Sequence, residues 1–179
     1  MVGGSKSLVE LFKDRFEANS GVVHVVEEVG DAVGVFEDIF SSEDVGRFAV
    51  ARLPQRFGRF FAGLDARDVG DNVAEADVGI TWADYGIADT GTIVEITEMD
   101  RDRLVSSLPR IHVALLKKDR ILPRLEAMAE IIREKLSEKT LRNTITFISG
   151  PSRTSDIELR TVLGVHGPHS VHVLVFTRW

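Results

Sequence analysis

Ile111-His112-Val113-Ala114-Leu115-Leu116 is a near-continuous apolar run broken by one histidine, and it constrains the fold more than any other segment. A strand with one wetted face alternates apolar and polar residues. A strand without that alternation is buried on both faces, as in a parallel sheet covered by helices. Such a strand needs partners, and the chain supplies them. Residues 22–26 are a β-branched run interrupted only by His24, and residues 48–51, 77–82, 145–148 and 171–176 read as further strands. Segments of helical period lie between them. Leu8, Leu11, Phe12 and Phe16 predict an N-terminal helix over about residues 5–19, stopped by Asn19-Ser20-Gly21. Val33, Phe36, Ile39 and Phe40 predict a second helix. Leu125, Met128, Ala129, Ile132 and Leu136 line one face of a third, with Pro123 near its start and Lys135 and Lys139 near its end. Residues 157–163 read as a short fourth. Strands alternating with helices predict an α/β fold with a mainly parallel sheet. Residues 77–82 and 91–97, joined by a short polar connection, suggest a hairpin and hence a mixed sheet.

The 179 residues fit one domain, 1–179, with no internal repeat and no linker to divide it. Hydrophobic residues make up 44% and charged residues 28%, an ordinary globular balance. Cysteine is absent, which removes disulfides, a thiolate nucleophile and cysteine-ligated clusters or zinc from this chain. A net charge of −6 argues against a nucleic-acid partner. No stretch reaches the roughly 18 apolar residues that a membrane span requires. The first twenty residues are charged throughout, without a signal-peptide apolar region. The expectation is a soluble, cytoplasmic protein.

Chemistry is expected in three polar segments. Ser149-Gly150-Pro151-Ser152-Arg153-Thr154-Ser155-Asp156 leaves a strand and, on this reading, enters a helix. Open α/β sheets bind ligands beyond the carboxyl ends of their strands, and a helix start offers free N–H groups to an anion. Ser152 and Thr154 add hydroxyls and Arg153 a charge. The alternative is capping, since Ser155 and Glu158 have capping-box spacing. The second segment is Asp89-Thr90-Gly91-Thr92, with a glycine that permits close backbone approach, two hydroxyls, and a carboxylate able to accept a proton or orient a ligand. The alternative is a turn in which Asp89 bonds its own backbone. The third is Gly164-Val165-His166-Gly167-Pro168, where His166 is an acid–base candidate. His166, His169 and His172 recur every three residues, but Gly167 and Pro168 break any helix and no acidic or thiol ligand completes a set, so no metal is expected. His24 and His112 read as strand residues of the core or an edge. Phe57, Phe60 and Phe61 with Arg56 and Arg59 read as core packing or, alternatively, as a partner surface.

Taken in order, Ala88-Asp89-Thr90-Gly91-Thr92-Ile93, then the stretch from Ile148 to Glu158, then Gly164-Val165-His166-Gly167-Pro168, resemble the lactate-utilisation protein C (LutC) family, the LUD domain. The resemblance covers the motif-bearing core, about residues 77–179; the first seventy residues match only in outline. Ser155 stands where the family pattern has alanine. The resemblance implies a fold similar to the NagB/RpiA/CoA-transferase group, three layers (α/β/α) around a mainly parallel or mixed sheet. It also implies a part in oxidising L-lactate to pyruvate beside separate iron–sulfur subunits that carry the clusters, with no cofactor on this chain and a homodimer possible. It favours the cradle over the cap: a cleft for a small anion or a phosphate-bearing ligand, lined by Thr90, Gly91, Thr92, Ser149, Gly150, Ser152, Arg153, Thr154 and Gly167, with Asp89, Asp156 and His166 as the catalytic or orienting groups. The rival readings are a stand-alone enzyme of the isomerase, CoA-transferase or folate cyclo-ligase kind, and a non-catalytic assembly module.

Overall fold

The apolar runs assemble as the patterning demands. In a computed structural model, which describes residues 6–57, 60–137, 144–155, 161–163 and 167–179, they form a six-stranded sheet. Its strands are β1 (Val22–Val26), β2 (Arg47–Ala51), β3 (Arg67–Asp68), β4 (Val78–Trp82), β7 (Ile111–Lys117) and β12 (Ser170–Phe176), in the order β1-β12-β7-β4-β2-β3. Every pairing in it is parallel. β7 lies between β12 and β4, so both its edges are paired, and residues 111–116 are all buried, as a strand covered on both faces requires.

Helices α1 (Leu8–Ala18), α2 (Ala32–Ser42), α3 (Asp100–Ser107) and α4 (Ala127–Ser137) complete the layers. One face of the sheet, with Ile80, Val113, Leu115, Leu174 and Phe176, packs on Phe36, Ile39 and Phe40 of α2 and on Phe57 and Phe61. The phenylalanines of the aromatic–basic cluster are therefore core, with the Phe36 and Phe61 rings meeting edge-on at 5.4 Å, while Arg56 is exposed and Arg59 lies outside the described residues. The opposite face, with Ala114, Leu116, Val171, Val173 and Val175, packs on Phe12 and Phe16 of α1 and on Ala88 and Ile93. α1 starts at a reciprocal cap in which the Ser7 hydroxyl accepts from the Glu10 N–H at 3.2 Å and Glu10 accepts from the Ser7 N–H at 2.8 Å.

The polar connections differ from expectation. Residues 77–82 and 91–97 do not pair. β4 is buried along its length and takes β2 and β7 as neighbours. The chain instead leaves the large sheet into a second one of β8 (Ile121–Leu122), β5 (Tyr85–Ile87), β6 (Thr92–Thr97) and β9 (Thr144–Ile148), in that order. The hairpin is β5 with β6, and β6 pairs antiparallel with β9. The mixed character belongs to this small sheet and the large one is wholly parallel. The expected helix at 157–163 is corrected over its last three residues, where Thr161–Leu163 is a strand, β11, antiparallel to β10 (Arg153–Ser155), while 157–160 lie outside the described residues. Thr161-Val162-Leu163 opens on two β-branched residues, which suit a strand, and pairing settles what apolar spacing left open. Ser155 ends strand β10, and Glu158 lies outside the described residues.

The small sheet packs on the large one through Ala88 and Ile93. Gly86 of β5 packs on Phe12, and Gly91, just before β6, packs on the last turn of α1. α1 runs back along the sheet and feeds β1 through a tight turn, so its end marks the amino edge of the parallel strands.

Candidate ligand-binding site

Two clefts stand at opposite edges of the parallel sheet. The motif loops gather at the amino edge. The Ser152 N–H donates to the Pro168 carbonyl at 2.9 Å, and the His169 N–H donates to Arg110 at 2.9 Å, just ahead of β12 and β7. The Thr90 and Thr92 hydroxyls share a hydrogen bond of 2.8 Å, and the Thr92 and Ser149 hydroxyls another of 2.8 Å. A Cβ on Gly167 would stand 3.3 Å from that of Ser152, so the third motif packs on the second. Asn19, Ser149, Gly150 and Pro151 line a cleft of about 320 Å³ there. Asn19 also donates to the Thr90 carbonyl at 3.2 Å. Segments far apart in sequence thus meet at one edge.

The reasons for their residue types differ from those expected. The second motif does leave the carboxyl end of a strand, but that strand is β9 of the small sheet, and its end opens at the amino edge of the large one. The loop runs into β10, so no helix N-terminus faces it. Gly91 (φ +60°) and Gly150 (φ +140°) are set by α1: a Cβ at Gly91 would stand 2.3 Å from the Phe16 nitrogen, and one at Gly150 2.5 Å from the Asn19 carbonyl oxygen. Asp89 and Thr90 are exposed in the turn between β5 and β6, while Thr92 is buried. Arg153 and Thr154 are described as backbone within β10. Asp156 and His166 lie outside the described residues.

The cleft at the carboxyl edge was not anticipated. It opens beyond the ends of β2, β4 and β7, where open α/β sheets bind ligands, and holds about 460 Å³. Arg52 follows β2 directly with φ +52°, a left-handed conformation that costs a non-glycine residue about 1–2 kcal/mol. Its guanidinium is tied to three acceptors: the Ile96 carbonyl, the Trp82 carbonyl at 3.3 Å and the Asp84 carboxylate at 2.8 Å. Asp84 also accepts from the Ile96 N–H at 2.7 Å. This clasp fixes the floor. Lys117 from the end of β7, Arg120 from the turn after it, Lys135 from α4, and Trp82, Tyr85 and Glu98 form the walls. Arg120 lies over the Tyr85 ring at 5.6 Å and Lys117 over the Trp179 ring at 4.3 Å. The only sequence signal was position, a cation just past each of several strands, and on its own such a cation reads as a solvated charge.

A third polar cluster is sealed between the sheets. The Thr81 hydroxyl donates to Glu95 at 2.5 Å and contacts His112 Nε2 at 2.7 Å, with Glu95 and His112 3.3 Å apart and both buried. Burial pushes the Glu95 carboxyl up, but hydrogen bonding and charge from His112, with the Thr81 and Ser106 hydroxyls, outweigh it and hold it below the usual carboxylate range. The cluster stitches β6 to β4 and β7.

Comparison with known proteins follows the same lines. The LUD domain model matches residues 9–176. A protein named lactate utilization protein C from Anoxybacillus flavithermus is 41% identical over 111 residues, covering 62% of this chain and 49% of that one. Its Bacillus subtilis namesake is 39% identical over 106 residues, covering 58% and 44%. The uncharacterised Escherichia coli protein YkgG is 33% identical over 156 residues, covering 85% and 66%. The chain spans about half the length of the lactate-utilisation relatives it matches. A crystal structure of a DUF162 family protein from Deinococcus radiodurans shares the fold, with a TM-score of 0.68 and 20% identity, covering 95% of this chain and 96% of that one. Among the described residues no helix is long and apolar enough to cross a membrane.

Proposed function

The chain belongs to the LUD-domain family, and on that premise we propose that it is the subunit without a redox centre in an L-lactate-oxidising system. Oxidation of lactate to pyruvate releases an electron pair and two protons. A chain without cysteine holds no cysteine-ligated cluster, so in this reading the electrons pass to separate iron–sulfur subunits. This subunit binds the small carboxylate and presents it. The observation that supports the reading is the convergence at the amino edge: the Thr90, Thr92 and Ser149 hydroxyls joined at 2.8 Å beside an open cleft, with Gly150 in its wall and Gly167 packed on Ser152. In this reading Arg153 supplies the counter-charge and Thr154 a further hydroxyl, while Asp89, Asp156 and His166 orient the substrate's hydroxyl and hold its proton.

The test is lactate oxidation by the chain reconstituted with cluster-bearing partners of a lactate-utilisation operon. Replacing Arg153 and His166 together by alanine is expected to lower the rate by about tenfold or more, the effect of losing a charge-assisted contact. An unchanged rate with both replaced would remove the amino-edge cleft from the reaction. Full lactate turnover by the chain alone would remove the partner subunits.

A further inference from the structure

We propose that the carboxyl-edge cleft is a second, separate ligand site, and that it takes a phosphate monoester whose molecule also bears a flat ring, as a nucleoside monophosphate does. Three observations lead there. The first is placement, since the cleft crowns the ends of three parallel strands and lies at the edge opposite the motif loops. Its volume, about 460 Å³, falls within the roughly 300–1,000 Å³ usual for small-molecule sites.

The second is charge. Arg52 is satisfied by Asp84 and two carbonyls and belongs to the floor. Lys117 and Arg120 are different: among the described residues neither forms an ion pair with a carboxylate. Each rests on an aromatic ring instead. A chain of net charge −6 here lines one cleft with these two cations. A phosphate monoester carries about −1.5 to −2 at neutral pH and matches that pair better than a monocarboxylate does. Glu98, on the same cleft, is an acceptor for ligand hydroxyls.

The third is the strained backbone. The chain places a bulky residue, Arg52, in the left-handed region at the mouth of the cleft. Such strain persists where the surroundings over-determine it, and it concentrates at binding and catalytic sites. Here it lets one side chain pin the ends of β4 and β6 together, which holds the Trp82 and Tyr85 rings at the cleft. Trp82 packs on Trp179 with ring centroids 4.9 Å apart, so the aromatic platform is rigid.

Both tryptophans of the chain lie at this edge, so intrinsic fluorescence reports the site directly. The experiment titrates the purified chain with adenosine 5′-monophosphate, inorganic phosphate and adenosine, with phosphorus-31 line broadening as a second readout. The monophosphate is expected to give a saturable change, phosphate a weaker one and adenosine none. Lys117→Met with Arg120→Met is expected to weaken monophosphate binding by about tenfold or more, while Arg67→Met, which removes an exposed cation elsewhere, leaves it unchanged. Arg120→Met alone, on an exposed turn, keeps the test open if the double variant does not fold. Absence of saturable binding by any phosphate, equal binding of adenosine, or undiminished binding by the variants would each overturn the proposal. None of these results depends on lactate oxidation.

Discussion

Gly79 shows how narrowly single residues are specified. It sits buried in β4 under α3, and a Cβ there would stand 1.8 Å from the Val105 carbonyl oxygen and 3.2 Å from Pro109 Cγ. Backbone cannot swing aside as a side chain does, so alanine must lift α3 from the sheet. Overpacking a tight core usually costs about 1–3 kcal/mol; Gly79→Ala is expected at or above the top of that range, read as a lower urea midpoint. An unchanged midpoint would show that α3 is loosely held. Nothing local in the sequence marks this glycine, because its partner lies 26 positions away. The same limit explains Gly91. A glycine flanked by threonines reads as room for a ligand, whereas the structure fills that room with the end of α1. His112 was legible as a strand residue of the core or an edge, and the structure buries it fully. Its partner Glu95 was not, since a lone acid in a strand pattern reads as solvent-facing.

Elements were legible where an apolar period decided them and illegible where pairing did. β1, α1, α2, β7 and β12 emerge from their spacing alone. α3 did not, because Asp100-Arg101-Asp102-Arg103 masks a helix whose contact with the sheet is made by Val105. β10 and β11 were misread because three-residue strands carry no period of their own. The pairing of edge strand β1 with β12 has a consequence that acid should expose. The two strands bring His24 and His172 together, rings 5.4 Å apart, with His24 Nε2 and His172 Nδ1 at 3.1 Å. Burial first, then the charges of His24 and His112, push His172 down from 6.5 to about 4. His24 is lowered too, chiefly by burial and then by Lys13. Below pH 6.5 the unfolded chain takes up a proton that the folded edge refuses. Stability is therefore level above that pH and falls as pH drops from 6.5 towards 4, by about 3 kcal/mol for His172. His172→Asn is expected to flatten this fall when urea midpoints at pH 7.5 and 4.5 are compared. Glu95, held low, loses its contribution only further into acid. An equal drop in parent and variant would mean that His172 takes up its proton in the folded chain as readily as in the unfolded one.

At the scale of the whole molecule, the two sheets share one interior. Ile93 of the small sheet and Ala114, Leu116 and Val173 of the large one belong to a single buried cluster with Phe12 and Phe16. The Thr81, Glu95 and His112 side chains cross the same seam. Both clefts depend on this joint: the amino-edge hydroxyls come from β6 and the loop after β9, and the carboxyl-edge clasp ties Arg52 beyond β2 to Ile96 of β6. A sheet that small exposes both faces when detached, and few-stranded units are marginal in water without a packed face. The two sheets are therefore expected to unfold together. Ile93→Ala removes a fully buried side chain at the seam, and such truncations cost about 2–5 kcal/mol. If the joint is cooperative, tryptophan fluorescence, which follows the large sheet through Trp82, and far-ultraviolet circular dichroism, which follows all elements, shift to lower urea together and stay superimposed. Circular dichroism falling ahead of fluorescence in the variant would show that the small sheet melts separately. Each cleft would then lose one wall while its other wall remained folded, and ligand binding at both edges would fail at the first transition.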